Sequence, residues 1–161
     1  KGVAHLHAQN VMHRDIKCLN IFLADQKTIK LGDLGVSKVA PLGLLAQGTR
    51  VGTPLYLAPE LVQAQSYDHK IDIWAVGCAL YHLACLEPPF HGDNLVTLGN
   101  AIAHKKPKAI PHVYSNKFQS FVDGLLKKNP RERPTALEAI ALIPAFISKG
   151  QGGEEAKVTR P

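Results

Sequence analysis

The sequence predicts a mainly α-helical domain, a helical bundle preceded by one short β-hairpin and a long irregular loop. Three observations carry that prediction. Phe118, Phe121, Val122, Leu125 and Leu126 recur at helical spacing, which marks an amphipathic helix. Residues 68–86 are mostly apolar, too long for a strand and apolar on nearly every side, as a buried helix is. The two stretches of strand character are short: Ile21–Leu23, and 28–31 after the polar turn at 24–27.

Taken in order, residues 1–10 read as the end of a helix, with Asn10 at its C-terminal cap. The polar stretch 11–17 is a loop, and the hairpin follows. Residues 32–59 hold Gly32, Gly35, Gly43, Gly48, Gly52, Pro41, Pro54 and Pro59 without a sustained period. That is a long loop, and long loops inside domains are usually functional. Helices are then expected over 68–86, over 94–104 with Asp93 as N-cap, over 115–128 with Ser115 as cap, and over 135–143 behind Pro134. Residues 148–161 carry few apolar side chains and read as a flexible tail or linker.

Composition narrows the function classes. The 161 residues are 45% hydrophobic and 20% charged, which suits a globular domain. No stretch of about 18 apolar residues exists, so no spanning helix is expected and no membrane partner. The net charge is +6, but Lys105, Lys106, Lys108 and the group Lys127, Lys128, Arg131, Arg133 are short clusters without interleaved aromatics. They read as solvated faces or phosphate-attracting fields, not as a nucleic-acid interface. Cys18, Cys78 and Cys85 are too few for a disulfide scaffold and suit a reducing compartment. Cys78, His82 and Cys85 share one helical face, which imitates a zinc site but offers three ligands; core packing is the favoured reading.

The chemistry concentrates in His13–Arg14–Asp15–Ile16–Lys17–Cys18–Leu19–Asn20. Phosphoryl transfer asks for a carboxylate to accept the proton of the attacking hydroxyl, a role for Asp15. It asks for a cation against developing negative charge, which Lys17 can reach, and for a neutral oxygen donor to a hard metal, which suits Asn20. Further along stand Asp33–Leu34–Gly35, Gly52–Thr53–Pro54, Ala58–Pro59–Glu60, the Asp72, Trp74, Gly77 spacing, and Arg131–Glu132–Arg133–Pro134–Thr135.

In that order these motifs resemble a protein kinase over about residues 1–147, as a partial domain corresponding to the C-terminal lobe with the N-terminal β lobe absent. Lys17 and Gly52–Thr53–Pro54 look like the serine/threonine branch. The run Asn20–Ile21–Phe22–Leu23, then Lys30–Leu31–Gly32–Asp33, is most similar to the NIMA-related kinases, as are Leu34 in place of Phe and the stretch from Pro89–Phe90 to Leu98. Leu55 departs from the Tyr that many members carry there.

The resemblance implies ATP and Mg²⁺ as cofactors, with Asp15, Lys17 and Thr53 catalytic, Lys17, Asn20 and Asp33 at the nucleotide, and Asn20 and Asp33 on the metal. It implies protein substrates phosphorylated on Ser or Thr. Thr53 would hydrogen-bond Asp15 and Lys17. Thr49 is the expected activation-loop phosphosite, modified by an upstream kinase or by another copy, with Ser37 weaker and Arg14 the cation that pairs with the phosphate. His13 belongs to a stacked hydrophobic column with Leu34. Glu60 is expected to pair with Arg133, and Asp72 to accept backbone N–H groups of the catalytic loop. A cytoplasmic location follows by analogy, with the cytoskeleton, centrosome or cilium as sites of association.

No glycine-rich G-x-G-x-x-G loop occurs, and the chain begins at Lys1 with Met12 its sole methionine. The expectation is therefore that an upstream lobe is missing and that the fragment alone is inactive. The alternative is a truncated, non-catalytic docking module.

Overall fold

The computed structural model describes residues 1–25, 28–33 and 54–143. Helix α1, Gly2–Ala8, opens the chain. Its C-terminal cap is Gln9, one residue earlier than expected, and Asn10 follows in the left-handed region with φ 56°. Asn tolerates that conformation better than most side chains, so it turns the chain into the loop.

A 3₁₀ turn, Cys18–Asn20, leads into strands β1, Ile21–Leu23, and β2, Ile29–Leu31. They pair antiparallel with Ile21 opposite Leu31 and Leu23 opposite Ile29. The connecting turn is tied by the Thr28 N–H, which donates to Asp25 Oδ1 at 2.8 Å. A second 3₁₀ turn, Pro54–Tyr56, precedes the short helix α2, Pro59–Val62, which the periodicity does not foresee. Pro59 at its first position supplies a preset φ where no N–H is needed.

Helix α3, Lys70–Cys85, is the pillar of the domain. It buries Ile71, Ile73, Trp74, Ala75, Cys78, Ala79 and Tyr81. Burying each large apolar side chain contributes about 1.5–3 kcal/mol. Gly77 permits close approach of the next layer, because a Cβ there would lie 2.9 Å from Leu125 Cβ.

Helix α4, Leu95–His104, is capped by Asn94 and not by Asp93. The reason is the third residue on. Thr97 N–H donates to Asn94 Oδ1 at 2.9 Å and Thr97 Oγ1 accepts from Asn94 N–H at 3.1 Å, a reciprocal box. Val96 stands at that offset from Asp93 and can give nothing back.

Helix α5, Asn116–Leu125, starts at Ser115 as expected but stops three residues before Lys128. The chain turns there to offer the Lys127 and Lys128 carbonyls to Arg133. Helix α6, Ala136–Leu142, is boxed by Thr135 and Glu138.

Two clusters form the core. The larger joins Trp74, Cys78, Tyr81, Phe90, Leu98, Ile102, Val122 and Leu126. Trp74 stacks on Phe90 at 5.6 Å between ring centroids, and Lys128 Nζ sits 4.0 Å from the Phe90 centroid. The smaller one packs Ala4 of α1 and Ala136 of α6 against Ile73 and Leu125. No described helix is long and apolar enough to cross a membrane.

Candidate active site

Asp72, in the first turn of α3 and 1% exposed, organises the loop before the hairpin. Its Oδ2 accepts the His13 backbone N–H at 2.8 Å and its Oδ1 that of Arg14 at 2.9 Å. His7 Nε2 stands 2.9 Å from Oδ2, and since the carboxylate only accepts, that nitrogen carries the hydrogen. These bonds hold Arg14 at φ 66°, a left-handed conformation costing a bulky residue about 1–2 kcal/mol. Its Nε is buried without a hydrogen-bond partner. Hydrogen bonds to a charged acceptor contribute about 1.5–3 kcal/mol each, enough to offset the strain. His13 is buried beneath, and its Nδ1 receives the Asp15 N–H at 3.3 Å.

Asp15 then meets two donors. Lys17 Nζ lies 3.0 and 2.9 Å from its carboxylate oxygens. Asn20 Nδ2 donates to the Asp15 carbonyl at 2.8 Å and to Oδ2 at 3.0 Å. Both amide hydrogens of Asn20 are thereby committed to Asp15, and its Oδ1 is left as an oxygen donor. Gly32 N–H donates to the Asn20 carbonyl at 2.9 Å and brings Asp33 alongside, at φ 55°. A carboxamide oxygen and a carboxylate are hard donors of the kind Mg²⁺ takes, so the residues fit that ion.

Phe22 was not singled out by motif reasoning. It is 53% exposed on β1, and its ring edge covers Gly32, where a Cβ would lie 2.7 Å from Cε2. An aromatic two residues after the metal-type Asn, on an exposed strand, is the signal that could have found it. Leu19 and Leu23 are also exposed, at 81% and 78%.

A second carboxylate lies inside the domain. Glu60 receives Arg133 Nη1 and Nη2, each at 2.7 Å, in a buried fork. Arg133 also donates to the carbonyls of Lys127, Lys70 and Lys128, at 2.7, 3.1 and 3.1 Å. All five guanidinium hydrogens are used.

Thr49, Thr53, Leu34 and Ser37 lie outside the described residues. Among the described residues no group of three His, Cys, Asp or Glu could hold a metal ion, so Cys78, His82 and Cys85 do not form one. Cys78 is core, its thiol pushed up by burial.

The protein kinase domain family model matches residues 1–142. The chain belongs to the protein kinase domain family. Within that family it is 40% identical over 136 residues to serine/threonine-protein kinase Nek3 of Oryza sativa subsp. japonica, covering 84% of this chain and 23% of the relative. It is 41% identical over 149 residues to serine/threonine-protein kinase Nek1 of Mus musculus, covering 92% of this chain and 12% of the relative. Serine/threonine-protein kinase 36 of Mus musculus is 42% identical over 129 residues, 80% of this chain and 10% of the relative. The chain thus resembles the NIMA-related kinases and spans about a quarter or less of these relatives' lengths.

Proposed function

We propose that this chain is the C-terminal lobe of a serine/threonine protein kinase and carries the groups that move the proton and hold the phosphates. The observation that carries the reading is the Asp15 carboxylate fixed by Lys17 Nζ and Asn20 Nδ2 on a backbone pinned to Asp72.

Asp15 orients the substrate hydroxyl and accepts its proton. Lys17, already beside Asp15, is within reach of a transferring phosphoryl group and offsets its charge. Asn20 Oδ1 and the Asp33 carboxylate would hold Mg²⁺, which supplies charge neutralisation at the ATP phosphates when bound. Phe22 offers an aromatic face to the adenine base beside those ligands. The family resemblance assigns Thr53 a catalytic role alongside Asp15 and Lys17. Phosphorylation of Thr49 orders that loop by supplying an anion to Arg14, whose Nε is buried without a hydrogen-bond partner. Protein Ser and Thr side chains are the substrates, and the relatives' names as serine/threonine kinases support that class.

The test is transfer of label from ATP to a protein substrate by the protein as encoded. Asp15→Asn keeps the side-chain shape and removes the base, so transfer falls by about 100-fold or more. Unchanged transfer in that variant would refute the assignment. Phosphopeptide mapping that finds Thr49 unmodified in active enzyme removes the regulatory part.

A further inference from the structure

We propose that His82 is a positioning residue for the catalytic loop, acting through Tyr56 and Cys18 with its Nδ1–H as donor. The inference rests on the phosphotransfer reading above, and its geometry is independent of it.

Three side chains from three elements meet at one point. Tyr56 Oη, at the end of the second 3₁₀ turn, is 2.8 Å from His82 Nδ1 on α3. The same hydroxyl is 3.4 Å from Cys18 Sγ in the catalytic loop. Cys18 Sγ in turn lies 3.9 Å from the Ala79 carbonyl of α3. The direction follows from the two sulfur contacts, in which the phenol donates to Cys18 Sγ and the thiol to the Ala79 carbonyl. A carbonyl only accepts, so the thiol hydrogen points at Ala79. The sulfur is then an acceptor, and the one phenolic hydrogen goes to it. The Tyr56 oxygen is left to accept, and among the described residues its partner at hydrogen-bond distance is His82 Nδ1, which then donates. Burial and the Cys18 contact both push the Tyr56 hydroxyl up, so it stays protonated and able to donate.

The place of this chain of bonds gives it its role. Cys18 sits between Lys17 and Asn20, the two residues that hold Asp15. Asp72 fastens the start of the loop, His13 and Arg14, to the first turn of α3. The relay fastens the other end of the loop near the last turns of the same helix. One attachment lets a loop pivot, whereas two fix its orientation, which is what a reacting geometry requires. The relay also ties in the segment leading to Glu60, so the loop, the helix and the return of the long loop move as one body.

Nitrogen NMR of the His82 imidazole tests the relay directly. The expected result is hydrogen on Nδ1, lost in Tyr56→Phe; hydrogen on Nε2 in the wild type overturns the relay. The kinetic arm uses two isosteres. His82→Asn keeps an N–H near the place of Nδ1, and His82→Gln moves it to the place of Nε2. With ATP and a protein substrate, His82→Gln is expected to lose about tenfold in kcat at unchanged KM for ATP, and His82→Asn to retain it. Equal kcat in all three overturns the positioning role. Absence of any transfer by the full-length wild-type protein overturns the kinase reading and the positioning role together, and an Nε2–H tautomer with intact transfer overturns the relay alone.

Discussion

Two carboxylates, Asp15 and Glu60, both meet a basic side chain at 2.7–3.0 Å, yet they sit in opposite surroundings. Glu60 and Arg133 are closed off from solvent, and every guanidinium hydrogen has an acceptor. Lys17 and Asp15 keep 25% and 20% of their side chains accessible. A closed pair can only hold elements together. An open pair, fixed by side chains of its own loop, can exchange partners with something arriving from solvent. The difference separates a structural ion pair from a working one more sharply than distance does.

The largest effect should come from breaking the closed pair. Glu60→Gln or Arg133→Met leaves one buried charge without its counterpart, which typically costs about 3–5 kcal/mol. Denaturant unfolding should show it, and a loss below about 1 kcal/mol would mean that water reaches the pair. Asp15→Asn should do the reverse, removing phosphotransfer while the unfolding free energy changes by less than about 0.5 kcal/mol. A large stability loss there would make Asp15 structural and dissolve the contrast.

Smaller effects sharpen it. Asn94→Ala removes the cap of α4 far from either pair and should cost about 1 kcal/mol with no specific effect on transfer. Lys128, beside the closed pair, gives a pH signature. Burial lowers its ammonium from 10.5 to about 8. The folded chain therefore releases that proton before the unfolded chain does. Its contribution to stability is flat below about pH 8, rises through the window up to about 10.5, and is limited by solvent screening to about 1–2 kcal/mol. The Cys78 thiol, pushed up by burial, works oppositely at the alkaline end. The difference between wild type and Lys128→Met isolates the lysine, and parallel curves would show that its charge is solvated in the fold.

Much of this arrangement was legible in the sequence, for identifiable reasons. Periodicity located α3 and α5 because each buries a continuous stripe or all of its faces. The order of motifs identified the family, since residues 13–20 lie close in sequence and form one loop. Boundaries failed where tertiary contacts decide them. Helix α5 ends early because Arg133 claims the carbonyls of Lys127 and Lys128. Asn94 displaces Asp93 because the cap depends on Thr97. The short helix α2 has no periodicity to read. Spacing places His82 with two cysteines on one helical face, whereas its hydrogen-bond partner, Tyr56, is 26 residues away.

The left-handed backbone at Arg14 has a consequence for how the protein is made. The loop that presents Asp15 holds its shape by bonds to a residue 58 and 59 positions later. Loop-closure entropy must be met before those contacts return anything, so the loop belongs to the slow, late part of folding. A nascent chain that has not yet delivered α3 carries Asp15 without the contacts that shape its loop. In the finished protein the amides of His13 and Arg14 should exchange with solvent only when α3 itself lets go.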